Sequence, residues 1–434
     1  MKLLTGATLL LSFGFLALAS PPSEAPAGFD NKSNGMVDAA THSADQTKFE
    51  EVEGLSDGLG PLYNAQSCRE CHQNPTSGGS SQVTELRVGH NDSKRAFQNP
   101  EIPINNGTEI IKDRSLINDR AICPSGAFPT TEIQEHVPDS EKIRTFRVSL
   151  NLLGDGFVEA LADQTLIDLA KDQCKKSHGK ICGQFLYVPV VESPGKTGIG
   201  RFGWKDQHAS LLSFSGDAYL NEMGITNRLQ PDEVTNLCNA ASEPNDTPGP
   251  DGLSDIDHFA RFIRSSEAPA RDQVLSKTQE AKHGEALFDK IGCATCHIAT
   301  LTTAPVGTSI NGGNFTIPDA LGDKTFHPYG DFLLHNVGTG DGIVQSPSEH
   351  YGHRFSQHTW KNFSLAEHQS TAPKMRTAPL WGLRLHSRLM HDGASVTFTD
   401  AILRHEGEAA EVTKRFEKLQ PNEKQALLTF LRSL

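Results

Sequence analysis

Two short segments carry the same arrangement of cysteine and histidine, at residues 68–72 and 293–297. In each segment two residues separate the cysteines, and a histidine directly follows the second cysteine. Two thiols one helical turn apart can reach the two vinyl groups of one porphyrin, and the adjacent imidazole can bind its iron. A C-x-x-C pair alone also suits a redox dithiol or half of a zinc site. Two copies, each with its histidine, favour two covalently attached c-type haems.

This interpretation gives a haem-binding role to six residues. They are Cys68, Cys71, His72, Cys293, Cys296 and His297. The cysteines would form the thioether bonds, and the two histidines would be the proximal iron ligands.

The other four cysteines, Cys123, Cys174, Cys182 and Cys238, all lie between the two motifs. Four thiols allow three pairings, and the short polar loop between Cys174 and Cys182 favours that pair together with Cys123–Cys238. Such bonds would clamp a loop-rich domain by ~2–4 kcal/mol each. A regulatory thiol pair is the alternative.

Composition limits the classes of protein to consider. The chain has 434 residues, of which 36% are hydrophobic and 21% charged, with a formal net charge of −13. At roughly 100–200 residues per domain, this length predicts two or three domains. The acidic balance argues against a nucleic-acid-binding protein, which needs a basic face.

The first nineteen residues have the pattern of a secretory signal peptide. Met1 and Lys2 precede a mostly apolar, uncharged run over residues 3–16, and residues 17–19 are Ala-Leu-Ala. A membrane anchor is the alternative, but the run is shorter than the roughly 20 residues that a span needs. We therefore predict export with cleavage after residue 19, and a periplasmic product that is not embedded in a membrane.

The remaining sequence divides into a leader and two domains. Residues 20–48 are rich in Ser, Ala, Pro, Asn and Asp without apolar periodicity, which predicts a flexible leader. Residues 49–270 would form an N-terminal haem c domain, and residues 271–434 a C-terminal cytochrome c-like domain. The expected fold is mainly α, with two cytochrome c-like haem domains, long loops and little β structure.

Local patterns predict individual elements. An amphipathic helix is expected over residues 254–264 with Ser254 as its cap, and another begins near Lys277. A C-terminal helix is expected to be capped by Asn422. The clearest strand-like run is residues 185–191.

Beyond the two motifs, several longer segments resemble one known family. They are residues 57–64 with 71–72, 200–205 (Gly-Arg-Phe-Gly-Trp-Lys), 222–226 (Glu-Met-Gly-Ile-Thr), 327–335 (His-Pro-Tyr-Gly-Asp-Phe-Leu-Leu-His), 376–383 (Arg-Thr-Ala-Pro-Leu-Trp-Gly-Leu) and 391–394 (His-Asp-Gly-Ala). In these segments the chain resembles the bacterial di-haem oxidoreductase family, whose members are described as di-haem peroxidases and are related to di-haem cytochrome c peroxidases.

The resemblance implies two unlike irons, one with an open face for peroxide and one of high potential. A Met thioether opposite the proximal histidine raises the potential. Met375 lies close to where the resemblance puts such a ligand, and Met390, His335 and His391 are the alternatives. Core packing is the ordinary role of a methionine.

For the first haem the resemblance implies an open iron with an acidic residue over it. Glu222, in the Glu-Met-Gly segment, would move a proton from the inner to the outer oxygen of peroxide, so that water leaves. His90, 18 residues after His72, would be a removable sixth ligand of the resting form, with a surface histidine as the alternative.

The resemblance also implies an electron bridge between the haems. Trp204, followed by Leu211, fits the position of a bridging tryptophan, with an ordinary core aromatic as the alternative, whereas Trp360 and Trp381 have the character of packing residues. One departure from related peroxidases is Phe214, which stands near the place of their usual glutamine.

These features predict an exported di-haem enzyme that reduces hydrogen peroxide with electrons from a small cytochrome c or cupredoxin. The alternatives are a di-haem electron carrier without a substrate, an oxygenase or oxidase acting on an organic or protein substrate, and an accessory of iron uptake. Related peroxidases often hold calcium between their domains, but the sequence has no dense Asp/Asn loop of the EF-hand type, so calcium stays an open expectation.

Overall fold

The structure is a computed structural model, and it describes residues 21–239, 242–344 and 364–434. The predicted signal peptide, residues 1–19, and Trp360 lie outside the described residues.

Helices and short strands alternate along the described chain. The helices are α1 Ala39–Glu50, α2 Cys68–Cys71, α3 Thr130–Ile133, α4 Asp155–Glu159, α5 Asp163–Lys176, α6 Leu211–Met223, α7 Asp255–Ser265, α8 Gln279–Ile291, α9 Leu365–Gln369, α10 Phe398–Leu403, α11 Ala410–Glu417 and α12 Pro421–Ser433. The strands are β1 Ser23–Glu24, β2 Leu62–Tyr63, β3 Thr84–Asn91, β4 Phe97–Gln98, β5 Ile102–Ile104, β6 Glu109–Ile111, β7 Leu116–Ile117, β8 Arg120–Ala121, β9 Ile143–Val148, β10 Tyr187–Pro189, β11 Thr197–Ile199, β12 Leu301–Thr302, β13 Ser309–Ile310, β14 Phe315–Thr316, β15 Lys324–Phe326, β16 Leu334–His335 and β17 Met375–Arg376.

The prediction of a mainly α fold with little β structure is wrong. The protein has 33% helix and 15% strand, distributed over many small sheets. Most of these strands are two or three residues long, too short to show the alternation of apolar and polar residues that marks a strand in a sequence. The helices and the sheets together form a mixed architecture.

The longest strands, β3 and β9, pair with each other in a four-stranded sheet, in which β3 also pairs with β4 and β7. They are antiparallel, and their register places Glu85 opposite Arg147. Since side chains alternate between the two faces of a strand, Glu85 and Arg87 share one face of β3. Charged residues thus occupy positions that are usually apolar in a buried strand. A search for alternating apolar and polar residues therefore does not detect this sheet.

The predicted helices are present. α7 begins after Ser254, whose backbone N–H donates to Asp257 at 3.1 Å. At the C-terminus, however, the N-cap is Gln420 rather than Asn422. Proline fits the first position of a helix because its missing N–H has no partner there in any case, so Pro421 sets the start. The strand-like run at residues 185–191 contains β10, which pairs with β11.

Residues 21–48 hold regular structure, unlike the flexible leader expected there. β1 pairs in parallel with β15, and α1 packs against α7. Phe49 at the end of α1 is 2% exposed and packs against Phe262. Composition alone did not reveal these long-range contacts, because a polar strand and helix can be held by partners far along the chain.

The C-terminal part is built on the pair of helices α8 and α12, which make the most extensive helix contact of the described chain. The backbones approach closely at Gly284, where an added Cβ would lie 2.0 Å from the carbonyl oxygen of Ala426. Gly284 is therefore required by the packing rather than by helix conformation.

The largest hydrophobic cluster joins residues from both sides of position 270, where a domain boundary was predicted. Phe157 and Phe259 come from the N-terminal side, and Phe326 and Trp381 from the C-terminal side. Phe157 and Phe326 are in contact, with ring centroids 6.0 Å apart. The two halves consequently share one core in this structure.

The predicted disulfide pairing is confirmed. Cys123 bonds to Cys238, and Cys174 to Cys182, while the four motif cysteines are free.

Candidate active site

The first cysteine–histidine motif forms one helical turn, α2, with His72 as its C-cap residue. His72 Nδ1 lies 2.8 Å from the carbonyl oxygen of Leu150. When Nδ1–H donates to a carbonyl, Nε2 is the nitrogen left to bind a metal. Burial lowers the pKa of His72 to about 4, so the imidazole is neutral, as a metal ligand must be.

The second motif begins directly after α8, where Gly292 adopts a φ of 105° and turns the chain into a short 3-10 helix. His297 Nδ1 lies 3.0 Å from the carbonyl oxygen of Tyr329. This repeats the arrangement of His72 and again leaves Nε2 for a metal. Burial lowers the pKa of His297 to about 4.

The motif thiols do not have the character of a redox or zinc site. Desolvation raises the pKa values of Cys71 and Cys293 to about 12, whereas reactive and metal-binding thiolates need lowered values. In the described part of the chain, the one group of three residues arranged to hold an ion is Cys296, Asp331 and His335, which includes no second cysteine. The dithiol and zinc alternatives therefore lose support.

A cavity of about 230 Å³ lies beside the second motif. Its lining residues include Phe288, Cys293, Cys296, His297, Met375, Leu383, Leu389, Leu427 and Leu431. The lining combines both thiols and the histidine of the motif with aliphatic and aromatic side chains, as a porphyrin requires. The residues present thus fit a haem.

The structure brings Met375 to the same cavity as His297. Met375 lies on β17, is 5% exposed, and pairs in register with His335 on β16. Met390 also lines this cavity, so both methionines can reach a haem held there. Met375 as the sixth ligand, with Met390 as the alternative, stays a prediction.

His335 is engaged on both ring nitrogens. Nε2 lies 3.0 Å from Asp331 Oδ2, and Nδ1 lies 3.0 Å from Glu408 Oε2. Burial opposes the charged form, but the two carboxylates outweigh it and raise the pKa of His335 well above its usual value. A protonated ring has no lone pair for iron, which leaves His335 a poor candidate for the sixth ligand.

Trp204 connects the surroundings of the two motifs. Its side chain lines the cavity of the second motif, and its Nε1–H donates to the carbonyl oxygen of Val148 at 2.8 Å. Val148 is two residues before Leu150, which holds His72. His391 lines the same cavity, with its ring 6.1 Å from that of Trp204.

Trp381, by contrast, is 3% exposed in the core, as expected of a packing residue.

Glu222 lies beside the first motif, near the end of α6. Its backbone carbonyl accepts hydrogen bonds from the N–H groups of Asn64 and Ala65, at 2.6 and 3.0 Å. Its carboxyl oxygen Oε2 accepts from Asn64 Nδ2 at 2.9 Å. Desolvation, followed by the neighbouring Glu85, raises the pKa of Glu222 to about 8. A pKa in this range allows a carboxyl group both to hold and to release a proton near neutral pH.

His90 is not brought to the first motif. It lies on β3, five residues from Glu85 and so about 17 Å along the strand and on the other face. Its Nδ1 contacts Glu141 Oε2 at 2.8 Å. The predicted role as a removable ligand has no supporting contact here.

Two groups of charged residues near the site were not predicted from the sequence. Glu85, on β3, is a negatively charged neighbour of Glu222 and helps to raise its pKa. Asp341 is fully buried and contacts Arg147 and Lys205, at 2.8 and 2.9 Å. Both groups depend on pairing between distant segments, so a single-sequence pattern offered no signal for them.

Comparison with known families decides the class of protein. The sequence profile of the family described as "Di-haem oxidoreductase, putative peroxidase" matches residues 129–434, well over half of the chain. The chain belongs to this di-haem oxidoreductase family. It is therefore a haem-carrying enzyme, as the resemblance in the sequence predicted. The match includes the second motif, while the first lies before its start.

Other comparisons add little about this di-haem oxidoreductase. No curated protein sequence matches it. Among solved structures, the hydrazine synthase of Kuenenia stuttgartiensis under xenon pressure is similar at 14% identity and a TM-score of 0.40, over 99% of this chain and 100% of that one. Within the described residues of the oxidoreductase, no helix is long and apolar enough to cross a bilayer.

Phe214, the departure from related peroxidases, is part of the interior packing of the oxidoreductase. Its ring lies 5.2 Å from that of His208 and 6.4 Å from that of Phe202. Its aromatic side chain, unlike the amide of a glutamine, offers no hydrogen bond to a substrate.

Proposed function

We propose that this di-haem oxidoreductase is an exported, periplasmic enzyme that reduces hydrogen peroxide to water. Two haem c groups would be attached through Cys68 and Cys71, and through Cys293 and Cys296. Reduction of one peroxide consumes two electrons and two protons and gives two water molecules. The electrons would come one at a time from a small cytochrome c or cupredoxin.

The observation that carries the proposal is the desolvated carboxyl of Glu222 beside the first motif, whose Oε2 accepts a hydrogen bond from Asn64 Nδ2 at 2.9 Å. When bound, haem supplies the redox equivalents and a place for peroxide on its iron. The chain must then move protons, and a carboxylic acid can do so because it both donates and accepts. In its ionised form, Glu222 would accept the proton of the inner peroxide oxygen and then deliver that proton to the outer oxygen, so that water leaves.

The two histidines would hold the irons through Nε2, since each Nδ1 faces a backbone carbonyl. Met375 is our proposed sixth ligand for the second haem because it is buried on the wall of the cavity that His297 shares. Trp204 is the proposed electron bridge. It lines that cavity, and its Nε1–H donates to the carbonyl oxygen of Val148, which ends β9 two residues before Leu150.

Replacing Glu222 tests this assignment. Glu222→Gln keeps the shape and the acceptor for Asn64 but removes the transferable proton, so peroxide turnover with reduced cytochrome c should fall roughly 10²–10⁴-fold. Both haems should stay attached, as measured by the mass of the mature chain and its haem absorbance.

A matched control is Glu233→Gln. Burial raises the pKa of Glu233 to about 8, as for Glu222, but its charged neighbours are Glu243 and Arg114. Its replacement should leave turnover unchanged. Undiminished turnover in Glu222→Gln would refute the proposed role, and a wild-type enzyme that oxidises an organic or protein substrate but not cytochrome c would favour the oxidase alternative.

A further inference from the structure

The last turn of α5 reaches from the first half of the chain to the second motif. Gln173 lies in this turn and is 4% exposed. Its Nε2 donates to the carbonyl oxygen of Thr295, inside the second motif, at 2.8 Å, and also to Asp331 Oδ2. Breaking a buried hydrogen bond leaves a polar group unsatisfied, at a cost of about 1–3 kcal/mol. Gln173 therefore holds the second motif in place from the other half of the chain.

The hydrogen bond to Asp331 connects Gln173 to the wall of the cavity beside the second motif. Asp331 Oδ2 also lies 3.0 Å from His335 Nε2. His335 on β16 pairs in register with Met375 on β17, and both residues line the cavity. Gln173 is thus connected to the motif itself and, through these contacts, to the strand pair that carries Met375.

A disulfide closes the loop that directly follows this glutamine. Cys174 bonds to Cys182, and the residues at the far end of the loop also contact the second half of the chain. The backbone N–H of Cys182 donates to Glu408 Oε2 at 2.9 Å. Gln184 exchanges two backbone hydrogen bonds with Leu334, each at 2.9 Å. Residues next to both ends of the disulfide thus contact the surroundings of the second motif.

The disulfide lies where a reductant can reach it. Cys174 and Cys182 are both partly exposed, and most of the loop between them, residues 175–181, is exposed. Segments with few buried contacts open locally at a low cost in free energy. Without the bond, the two ends of the loop are connected through this exposed segment, so their separation is less strictly fixed.

We propose that the Cys174–Cys182 disulfide positions the second haem site through Gln173, and that a dithiol reductant releases this hold. In the reduction the S–S bond breaks and two thiols form, while the dithiol gives up two electrons and two protons and becomes a disulfide. The inference rests on haem attachment at the second motif, as in the proposed function. It adds a thiol-sensitive control of that haem, with Gln173 as a positioning residue.

Release should lower the reduction potential of the second haem. A looser site admits water, which favours the more highly charged oxidised iron. It also weakens the hold on Met375, whose thioether would raise the potential. Both effects act in the same direction. His72 of the first motif is held by the carbonyl of Leu150 instead, so the potential of the first haem should stay unchanged.

A redox titration of the haem-loaded full chain, followed by absorption, tests the proposal. The double variant with Cys174→Ser and Cys182→Ser should lower the potential of one haem alone. The matched control removes the other disulfide through Cys123→Ser and Cys238→Ser, and should leave both potentials unchanged. Gln173→Leu should lower the same potential as loss of the Cys174–Cys182 bond. Combining the two changes should add little, because both act through one contact.

Unchanged potentials after loss of the Cys174–Cys182 bond would overturn the proposal. An equal shift of both haems, or the same shift in the control variant, would also overturn it, because either result indicates general loosening of the protein. Fully additive shifts would overturn the role of Gln173.

If the Cys174→Ser, Cys182→Ser variant does not incorporate haem, the control variant decides, since Cys174–Cys182 is its remaining disulfide. It is treated with dithiothreitol, alkylated with iodoacetamide and reoxidised before titration. A lowered potential of one haem supports the proposal, and unchanged potentials overturn it. A wild-type chain whose mass includes no second haem would instead refute the proposed attachment, which distinguishes the two failures.

Discussion

Each motif histidine is oriented by one hydrogen bond to a backbone carbonyl. His72 faces Leu150 and His297 faces Tyr329, at 2.8 and 3.0 Å. These carbonyls belong to loops far from the motifs in sequence, so the tertiary fold leaves Nε2 of each ring as the nitrogen that is available to bind iron. The residue identities could be predicted from the sequence, but their orientation could not.

Substitution of the two cavity methionines separates the candidate ligands. Met375→Leu should lower the reduction potential of one haem alone, since a thioether opposite histidine raises it, by an amount within the roughly 0.8 V that axial ligands control. Met390→Leu, at a neighbouring position of the same cavity, should leave both potentials nearly unchanged. A redox titration in which Met375→Leu behaves as the wild type would reject Met375 as the ligand.

The buried carboxylate of Asp341 gives a prediction about stability. Burial opposes its ionisation, but Arg147 and Lys205 outweigh it and hold the pKa of Asp341 well below its usual range. Asp341→Asn leaves both cations without their partner, so the free energy of unfolding should fall by about 3–5 kcal/mol. Denaturant unfolding at neutral pH measures this change.

The same ion cluster has a definite pH dependence. Because the folded-state pKa of Asp341 is lowered, its contribution is complete above the unfolded value of about 4 and is lost as the pH falls through the folded value. Asp172→Asn is the control, since its pair with Lys176 is exposed and should contribute under about 1 kcal/mol. Equal effects of the two substitutions would contradict the account.

At the scale of elements, the β3–β9 sheet and the α8–α12 pair position the two motifs. The sheet carries Glu85 and leads into the loop that holds His72. The helix pair presents Gly292 and the second motif. In both elements, close contact between backbones positions the motif. In the sheet this contact is the pairing of β3 with β9, and in the helix pair it depends on small side chains between α8 and α12.

Gly284→Ala tests the helix contact. An added Cβ would lie 2.0 Å from the backbone oxygen of Ala426, so α8 and α12 must separate, at a cost of about 1–3 kcal/mol. The gain in helix propensity of up to about 1 kcal/mol offsets only part of this. The second haem should be attached less completely, as measured by haem absorbance per chain.

Gly249→Ala is the matched control, because the nearest atom to its added Cβ is 3.5 Å away. Its effect on the melting temperature should be negligible. A Gly284→Ala protein as stable as Gly249→Ala would show that the two helices do not need to approach so closely.

Local signals predicted the helices well and the sheets poorly. α7 and α8 have caps and apolar faces within one stretch of sequence, so their positions followed from periodicity. β3 and β9 are about sixty residues apart, and their buried charges are matched only after pairing. The same reason explains why Glu222 could be proposed from a motif, whereas its neighbour Glu85 could not.

At the scale of the whole molecule, the two halves form one functional unit. The largest hydrophobic cluster contains side chains from both sides of position 270, and Trp204 from the first half lines the cavity of the second motif. Electron transfer between two haems requires such a fixed arrangement. The domain boundary at position 270 stays a prediction, and side chains from both sides of it meet in this cluster.

The central claim is that two unlike haems act together, with an open iron beside Glu222 and a saturated one in the cavity of His297. The most direct measurement is a redox titration of the purified haem-loaded protein followed by absorption and electron paramagnetic resonance, with peroxide added at each stage. We predict two haems of different potential, of which one is high-spin and reacts with peroxide once the other is reduced. A single haem per chain, or two low-spin haems that do not react, would contradict the account.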